Sequence, residues 1–530
     1  MIRHGMVFDG LGAPPQRRDV AVADGRVRLV APPARVEADE VIDATDHFVA
    51  PGFIDIHAHS DLTSLTAPHA TSRVAAGVTT ECNGNCGYGA FPMVGEVLAE
   101  RRRGNNPETL TLDWTDAAGY FARADAVGCA VNRATLVGHG NVRGGVIGYG
   151  NRRATAGQID RMAAIVDASL AAGAMGLSTG LIYPPGMWAD VDEMAALAAV
   201  VAARGGLYAS HIRCEVPRLL EAVDEFLEVL RRSGCRGQLS HVKASGEPHW
   251  PKLAAVGERL RQARAEGIDV WADRYPYTAS RTSLAAMVLP TEAMAGSTDD
   301  VVARLAEAAT RRTIIEAIRA RYGDRLNRWL ETIVIATVGR PEFRDCLGRN
   351  LRQLPDRFAA AGDALDGAIE LLVADRARPG AIRFCMSEAN LRVVYGWAFV
   401  CVGSDSAMRD HLGDSDAERP HPRAYGSPGR FVDLVVRRWK LMDWPEAIRR
   451  MTSMPAAILG LTDRGVLRDG APADIVVFDP RRFADRATYD NPARTPDGIA
   501  ATLVNGQVVW QHDRHTGKRP GRLLGVNGTR

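Results

Sequence analysis

The chain has 530 residues, 46% hydrophobic and 24% charged, with 65 Lys and Arg against 63 Asp and Glu and a net charge of +2. Such a composition belongs to a globular chain with a sizeable core, and without a long basic run it argues against a nucleic-acid partner. No apolar stretch of ~18 residues occurs, so a membrane span is not expected, and Met1–Val7 lacks the apolar core of a signal peptide.

The first segment, residues 1–50, reads as short strands separated by turns: Gly5–Asp9, Arg18–Ala23, Arg26–Leu29 and Val41–Asp43. From Pro51 onward, β-type runs alternate with helical stretches. Eight such runs stand out: Phe53–His59, Thr79–Cys86, Ala134–His139, Met175–Thr179, Leu207–Arg213, Gln238–Lys243, Val270–Tyr275 and Phe399–Ser404. The segments Ile159–Ala172, Asp192–Ala203 and Arg218–Arg232 are Ala/Leu/Arg-rich with helical period. Eight β-then-α units predict an α/β fold, a (β/α)8 TIM barrel over residues 51–464, in preference to a doubly wound open sheet. The long gap between strands seven and eight, about residues 285–390, is helical and charged and reads as an inserted subdomain. The tail, residues 465–530, returns to strands at Asp474–Asp479 and at Ala501–Trp510, the latter folding at Asn505-Gly506. The two β-rich ends predict one small β-sandwich assembled from both termini. The cluster Arg101–Arg103 reads as a solvated helix end.

Chemistry gathers at the strand ends. The run Pro51–Asp61 closes strand one with His57 and His59, spaced so that both imidazoles leave one face of a strand. Strand two ends at Cys86 between glycines, strands five and six at His211 and His241, and strand eight at Asp405. Singly, each has a plainer reading: His211 or His241 as a hydrogen-bonded core histidine, Cys86 as an inert thiol, Asp405 as a helix N-cap. Together, at the C-terminal ends of strands one, two, five, six and eight, they predict a metal site. Imidazole and thiolate suit zinc, which acidifies water to a pKa of ~7, and an aspartate can carry the proton to a leaving amine. A thiolate could also bridge two metals. Cys82 reads as core, His139 as a hydrogen-bonded residue of the barrel mouth, and His69, His249 and His421 as loop residues. The eight scattered cysteines suit a reducing, cytoplasmic setting.

These motifs resemble the amidohydrolase superfamily and, within it, the D-aminoacylase (N-acyl-D-amino-acid deacylase) family. The resemblance spans nearly the whole chain. It is carried by Pro51–Asp61, Gly84-Asn85-Cys86-Gly87, Gly138–Arg143, Gly176–Gly186, Ser210–Arg213, Ser240–Ala244, Asp273–Tyr277, Gly403-Ser404-Asp405, His421-Pro422-Arg423 and Gly465–Asp474. It implies a metal-dependent hydrolase of small N-acylated substrates. Cys86, His211 and His241 would hold a tight Zn2+, and His57 and His59 would serve a second, weaker position. Asp405 would be the general acid/base. Lys243, Arg423, Tyr183 and Tyr275 or Tyr277 would hold the substrate carboxylate or polarise its carbonyl. Arg281 and Arg409 are further candidates for a substrate anion. The neighbouring expectation is hydrolysis of a cyclic amide or imide, or of a specialised biosynthetic amide, on the same site. Two segments depart from the family pattern: Tyr88–Pro92, and the long charged loop Met408–Arg419. Homo-oligomer formation is left open.

Overall fold

The computed structural model describes residues 1–30, 37–103, 110–359, 362–413, 418–525 and 528–529. The middle residues of the charged loop, 414–417, lie outside them. The chain forms an α/β fold with mixed sheets.

Eight parallel strands run through the centre: β1 (Phe53–Asp55), β2 (Val78–Asn83), β3 (Asn132–Thr135 continuing as Val137–Gly138), β4 (Gly176–Gly180), β5 (Leu207–His211), β6 (Arg236–Leu239), β7 (Val270–Arg274) and β8 (Val400–Val402). One parallel ladder joins β1, β2 and the first part of β3. Another runs from the second part of β3 through β8. Just past their ends, β8 and β1 also meet. The Asp405 amide donates to the His57 carbonyl at 2.7 Å, and the His59 amide donates to Ser406 at 3.0 Å.

Helices close to the expected positions follow the strands: Ala156–Ala171, Val191–Ala203 and Leu219–Ser233. The last shows why. Leu219, Val223, Phe226, Leu227 and Leu230 recur at helical spacing on the buried face, and Gly234, at φ 66°, ends the helix in the left-handed region where glycine is favoured.

Several strands are shorter than the sequence suggested. β1 stops at Asp55 instead of reaching His59. The cause is the Asp55 carboxylate, which accepts from the His57 amide at 3.2 Å and the Ser404 amide at 2.9 Å. A side chain thus takes backbone donors that a ladder would use. β6 stops at Leu239, before a turn in which His241 has φ 37°.

A separate nine-stranded sheet draws on both ends of the chain. Its central pairings are Ile2–Val7 with Phe48–Pro51 and Phe48–Pro51 with Ile475–Phe478. The Asn505-Gly506 hairpin forms as expected between Ile499–Val504 and Gln507–Gln511, with φ 46° and 83° at the turn. Gly52 alone separates the sheet strand Phe48–Pro51 from β1. A Cβ at Gly52 would sit 2.2 Å from Thr79, so only glycine fits there.

The segment between β7 and β8 is not purely helical. Ala279–Ser283, Gly380–Phe384 and Ile333–Thr337 form an antiparallel sheet, with the second strand in the middle. With Trp329, Phe358, Leu365 and Ile369 it builds its own hydrophobic cluster.

Candidate metal centre

The strand ends bring all six expected residues to one place. Cys86 Sγ lies 3.4 Å from His57 Nε2 and 3.4 Å from His241 Nε2. Two donor sets form around it: Cys86, His211 and His241, and His57, His59, Cys86 and Asp405. Within each set the ligand atoms lie within 4.8 Å of one another, and Cys86 belongs to both.

The donors fit zinc on their own geometry. Both ring nitrogens of His211 are buried and make no hydrogen bond. Buried polar atoms are rarely left so, and an unbonded imidazole beside a thiol and a second imidazole is a mixed N/S donor set of the kind zinc takes. Cys86 is held well below the usual thiol range: burial alone would raise it, and the neighbouring His57 and His241 outweigh that.

Acidic residues outside the donor sets orient the rings. Asp273, on β7, faces His57 Nδ1 at 3.1–3.2 Å and accepts from Gln238 Nε2 at 2.7 Å and the His241 amide at 3.1 Å. Glu215 binds the Lys243 ammonium, whose Nζ also sits 2.8 Å from His241 Nδ1. Such partners fix ring tautomer and direction. Neither Glu215 nor Asp273 was singled out from sequence, although Asp273 lies within a quoted motif.

Asp405 lies at the second donor set, 3.0 Å from His59 Nε2. Arg423 Nη1 donates to its other oxygen at 2.7 Å. Burial works against its ionised form, but Arg423 first, then His241 and His59, hold the carboxyl well below its ordinary range. Arg423 Nε is buried and unbonded, and the guanidinium lies 4.5 Å from the Tyr275 ring centre.

Three of these residues have left-handed backbones: Cys86 at φ 54°, His241 at φ 37° and Asp405 at φ 51°. Non-glycine residues adopt this region at a cost of ~1–3 kcal/mol each, a strain that recurs at functional sites as well as in turns.

The other expected residues divide. Tyr183 packs on His211 and shares a hydrogen bond with Thr282 at 2.9 Å. The Tyr275 hydroxyl is buried and unbonded, with its ring toward His241. Tyr277 is turned away, donating to Asp485 at 2.8 Å. Lys243 is committed to Glu215 and His241. Arg409 pairs with Glu418 at 2.8 and 2.9 Å, whereas half-buried Arg281 has a buried, unbonded Nε. His139 bonds Glu193 at 2.8 Å, as expected of a residue in the mouth. His421 is more than a loop residue: it is buried, accepts from the Arg423 amide, and contacts the Ala279 carbonyl at 2.9 Å. Cys82 sits in the core with Ile54, Ile56 and Ala134. Arg101–Arg103 end the helix Gly95–Arg103 as expected, with Arg102 and Arg103 exposed, while Arg101 also donates to the Gly89 carbonyl at 3.0 Å. All eight cysteines are free.

Comparison with known proteins places the chain among relatives of known name. The amidohydrolase family model matches residues 40–344 and 402–510. The chain is 36% identical to the N-acyl-D-glutamate deacylase of Alcaligenes xylosoxydans xylosoxydans, over 99% of this chain and 96% of that one. It is 33% identical to the N-acyl-D-aspartate deacylase of the same organism, over 99% and 94%. Among solved structures, the N-acyl-D-glutamate deacylase of Bordetella bronchiseptica, complexed with zinc and a phosphonate mimic of the tetrahedral intermediate, superposes with a TM-score of 0.82 at 34% identity, covering 99% of this chain and 98% of that one. With a family match over most of its length and full-length relatives above 30% identity, the chain belongs to the amidohydrolase family.

Proposed function

We propose that the protein is a zinc-dependent hydrolase that cleaves the amide bond of N-acyl-D-amino acids, with Asp405 as general acid/base. One observation carries this reading: a single thiol, Cys86, completes two donor sets, and the second set contains a carboxylate that is also paired with a buried arginine.

Cys86, His211 and His241 would hold the tight zinc, and His57 and His59, with Cys86 shared, a second position. The bound metal supplies Lewis acidity, polarising a carbonyl and making water acidic near neutral pH. Asp405, ionised in this setting, accepts the proton of the attacking water and passes it to the departing amine nitrogen. Arg423 keeps that carboxylate in place and still has its Nε free for the substrate carboxylate. The free Tyr275 hydroxyl donates to the carbonyl oxygen as charge develops on it. Lys243 holds His241 through Nδ1, and Tyr183 walls the chamber beside His211. Tyr277, bound to Asp485, supports the wall under His421.

The same reading takes the eight parallel strands as a closed (β/α)8 barrel over residues 51–464, supported by the hydrogen bonds that link β8 to β1. Residues 1–50 and 465–530 form the small β-domain, and about 285–390 the insertion. Free thiols suit a cytoplasmic enzyme.

The test is amine release from paired N-acetyl-D- and N-acetyl-L-amino acids by zinc-quantified enzyme, with hydantoins in parallel. Turnover confined to D-substrates is expected. Asp405→Asn keeps its zinc and loses activity by at least 100-fold. Ring opening of hydantoins without release from N-acyl-D-amino acids overturns the substrate, and an active Asp405→Asn overturns the proton carrier.

A further inference from the structure

Further cavities open beyond Glu215, whose carboxylate lies 3.5 Å from His211 Nε2. Beside Glu215 and Thr282 opens a cavity of about 370 Å³, with Leu181, Met187, Met287 and Leu289 on its apolar side and Arg213 and Arg218 on its polar side. It shares Arg321, Tyr322 and Arg383 with a second, larger cavity of about 620 Å³. This outer cavity lies between the turn at Gly246–Trp250 and the inserted segment, which contributes residues on both its Tyr322–Thr332 and Arg383–Cys385 stretches.

Its lining is lopsided in charge. Four arginines reach it, Arg321, Arg325, Arg328 and Arg383, against one carboxylate, Glu247. Glu247 is taken by Arg328 at 3.0 Å. Among the described residues, no carboxylate pairs with Arg321, Arg325 or Arg383. The field they create is felt by His249 in the same wall, which burial and then Lys252, Arg383, Arg321 and Arg325 hold below the ordinary histidine value.

The lining also offers aromatic faces and idle donors. Trp250, Trp329, Tyr322 and Phe384 line the cavity, and Tyr322 stacks on Trp329 at 3.9 Å. Trp329 Nε1 and Arg383 Nε are both buried without a hydrogen-bond partner. A buried donor left unmatched is costly, and clustered guanidinium groups repel until an anion arrives. Planar guanidinium forks match carboxylate or phosphate, and indole and phenol faces match a flat ring.

We infer that this outer cavity is a binding site for an aromatic anion, and that it receives the distal end of the substrate's acyl group by way of the adjoining inner cavity. The second half rests on the deacylase reading. With Arg423 beside Asp405 taking the amino-acid carboxylate at β8, the inner cavity at Glu215, just past β5, is left for the acyl side. Acyl groups with an apolar stem and an anionic aromatic head fill both cavities at once, and acetyl fills neither.

The test uses the zinc-loaded full-length protein in two arms. In calorimetry, phenyl phosphate and benzoate bind, inorganic phosphate binds at least tenfold more weakly, and the exposed pair Arg321→Ala/Arg325→Ala loses at least tenfold in affinity for the aromatic anions. The stronger of phenyl phosphate and benzoate identifies the anionic group. In kinetics, D-glutamate is acylated with acetyl, with a six-carbon chain ending in phenyl, or with the same chain ending in 4-carboxyphenyl. The 4-carboxyphenyl substrate is preferred over the phenyl one through a lower KM, and the double variant erases that ratio. Absence of aromatic-anion binding at millimolar concentration, or equal binding by the double variant, overturns the site. Binding without the substrate preference overturns the acyl-group assignment. Intact binding with no turnover of any N-acyl-D-amino acid sinks the deacylase reading instead and leaves the site standing.

Discussion

Asp273 is the residue whose removal tells most about how the metal centre is held. Its buried carboxylate serves three donors at once: the His57 ring, the Gln238 amide and the His241 backbone. In Asp273→Ala all three are stranded in a site with no solvent exposure. At ~1–3 kcal/mol per unmatched donor, with some relief from entering water, the loss is about 3–5 kcal/mol. For a chain of 530 residues the unfolding entropy is ~1.1 kcal/mol/K, so the thermal midpoint falls by about 3–5 °C. Asp273→Asn keeps the shape and an acceptor oxygen but drops the charge that orients His57, and loses 10–100-fold in zinc affinity, about 1.4–2.7 kcal/mol. Chelator competition measures the affinity, and scanning calorimetry of apo and zinc-loaded protein measures the midpoint. Parent-like zinc affinity in Asp273→Asn, together with a midpoint unchanged in Asp273→Ala, would refute the orienting role.

Other expectations are as direct. Asp485, which accepts from Tyr277, is pushed up by burial to about 6. A carboxyl raised above its unfolded value adds stability in its protonated form, and that contribution fades as pH climbs from about 4 to 6. Asp485→Asn therefore gains on the parent by at most ~3 kcal/mol between pH 4 and pH 8; a midpoint difference moving the other way contradicts this. A Cβ at Gly180 would meet the Cys86 carbonyl oxygen at 1.9 Å, so Gly180→Ala displaces the shared thiol and lowers zinc content, read by metal analysis of folded protein. Arg423→Lys loses the planar fork that grips Asp405 and raises KM at least tenfold for N-acyl-D-amino acids, while retaining zinc. An unchanged KM removes Arg423 from carboxylate binding.

The sequence was most readable where chemistry and periodicity coincide. His57, His59, Cys86, His211, His241 and Asp405 announce themselves because each ends an apolar run. What they do with their backbones was not readable: nothing in the residue types marks Cys86, His241 or Asp405 as left-handed. Asp273 is not singled out because its role exists only through rings on other strands, and Glu215 because it sits in a loop that turns it to His241 and Lys243 of the next strand as well as to His211 four residues before it. Lys243 reads as a free cation until the loop after β5 delivers Glu215 to it. The inserted segment hid its sheet because its strands are five residues long and scattered among long charged helices. Tyr275 and Tyr277 are equivalent in the sequence, and only the position of Asp485 separates them.

The pairing of Phe48–Pro51 with Ile475–Phe478 sets an order on synthesis. The amino-terminal strands leave the ribosome first, yet the edge they present is completed only by residues made near the end. Until then Phe48, Val49 and the adjoining β1 wait with an open ladder, an arrangement that favours slow folding and exposes the nascent chain to wrong partners. Because Gly52 alone joins that sheet to β1, docking of Ile475–Phe478 would also help set the register of His57 and His59, the candidate ligands just past the end of β1.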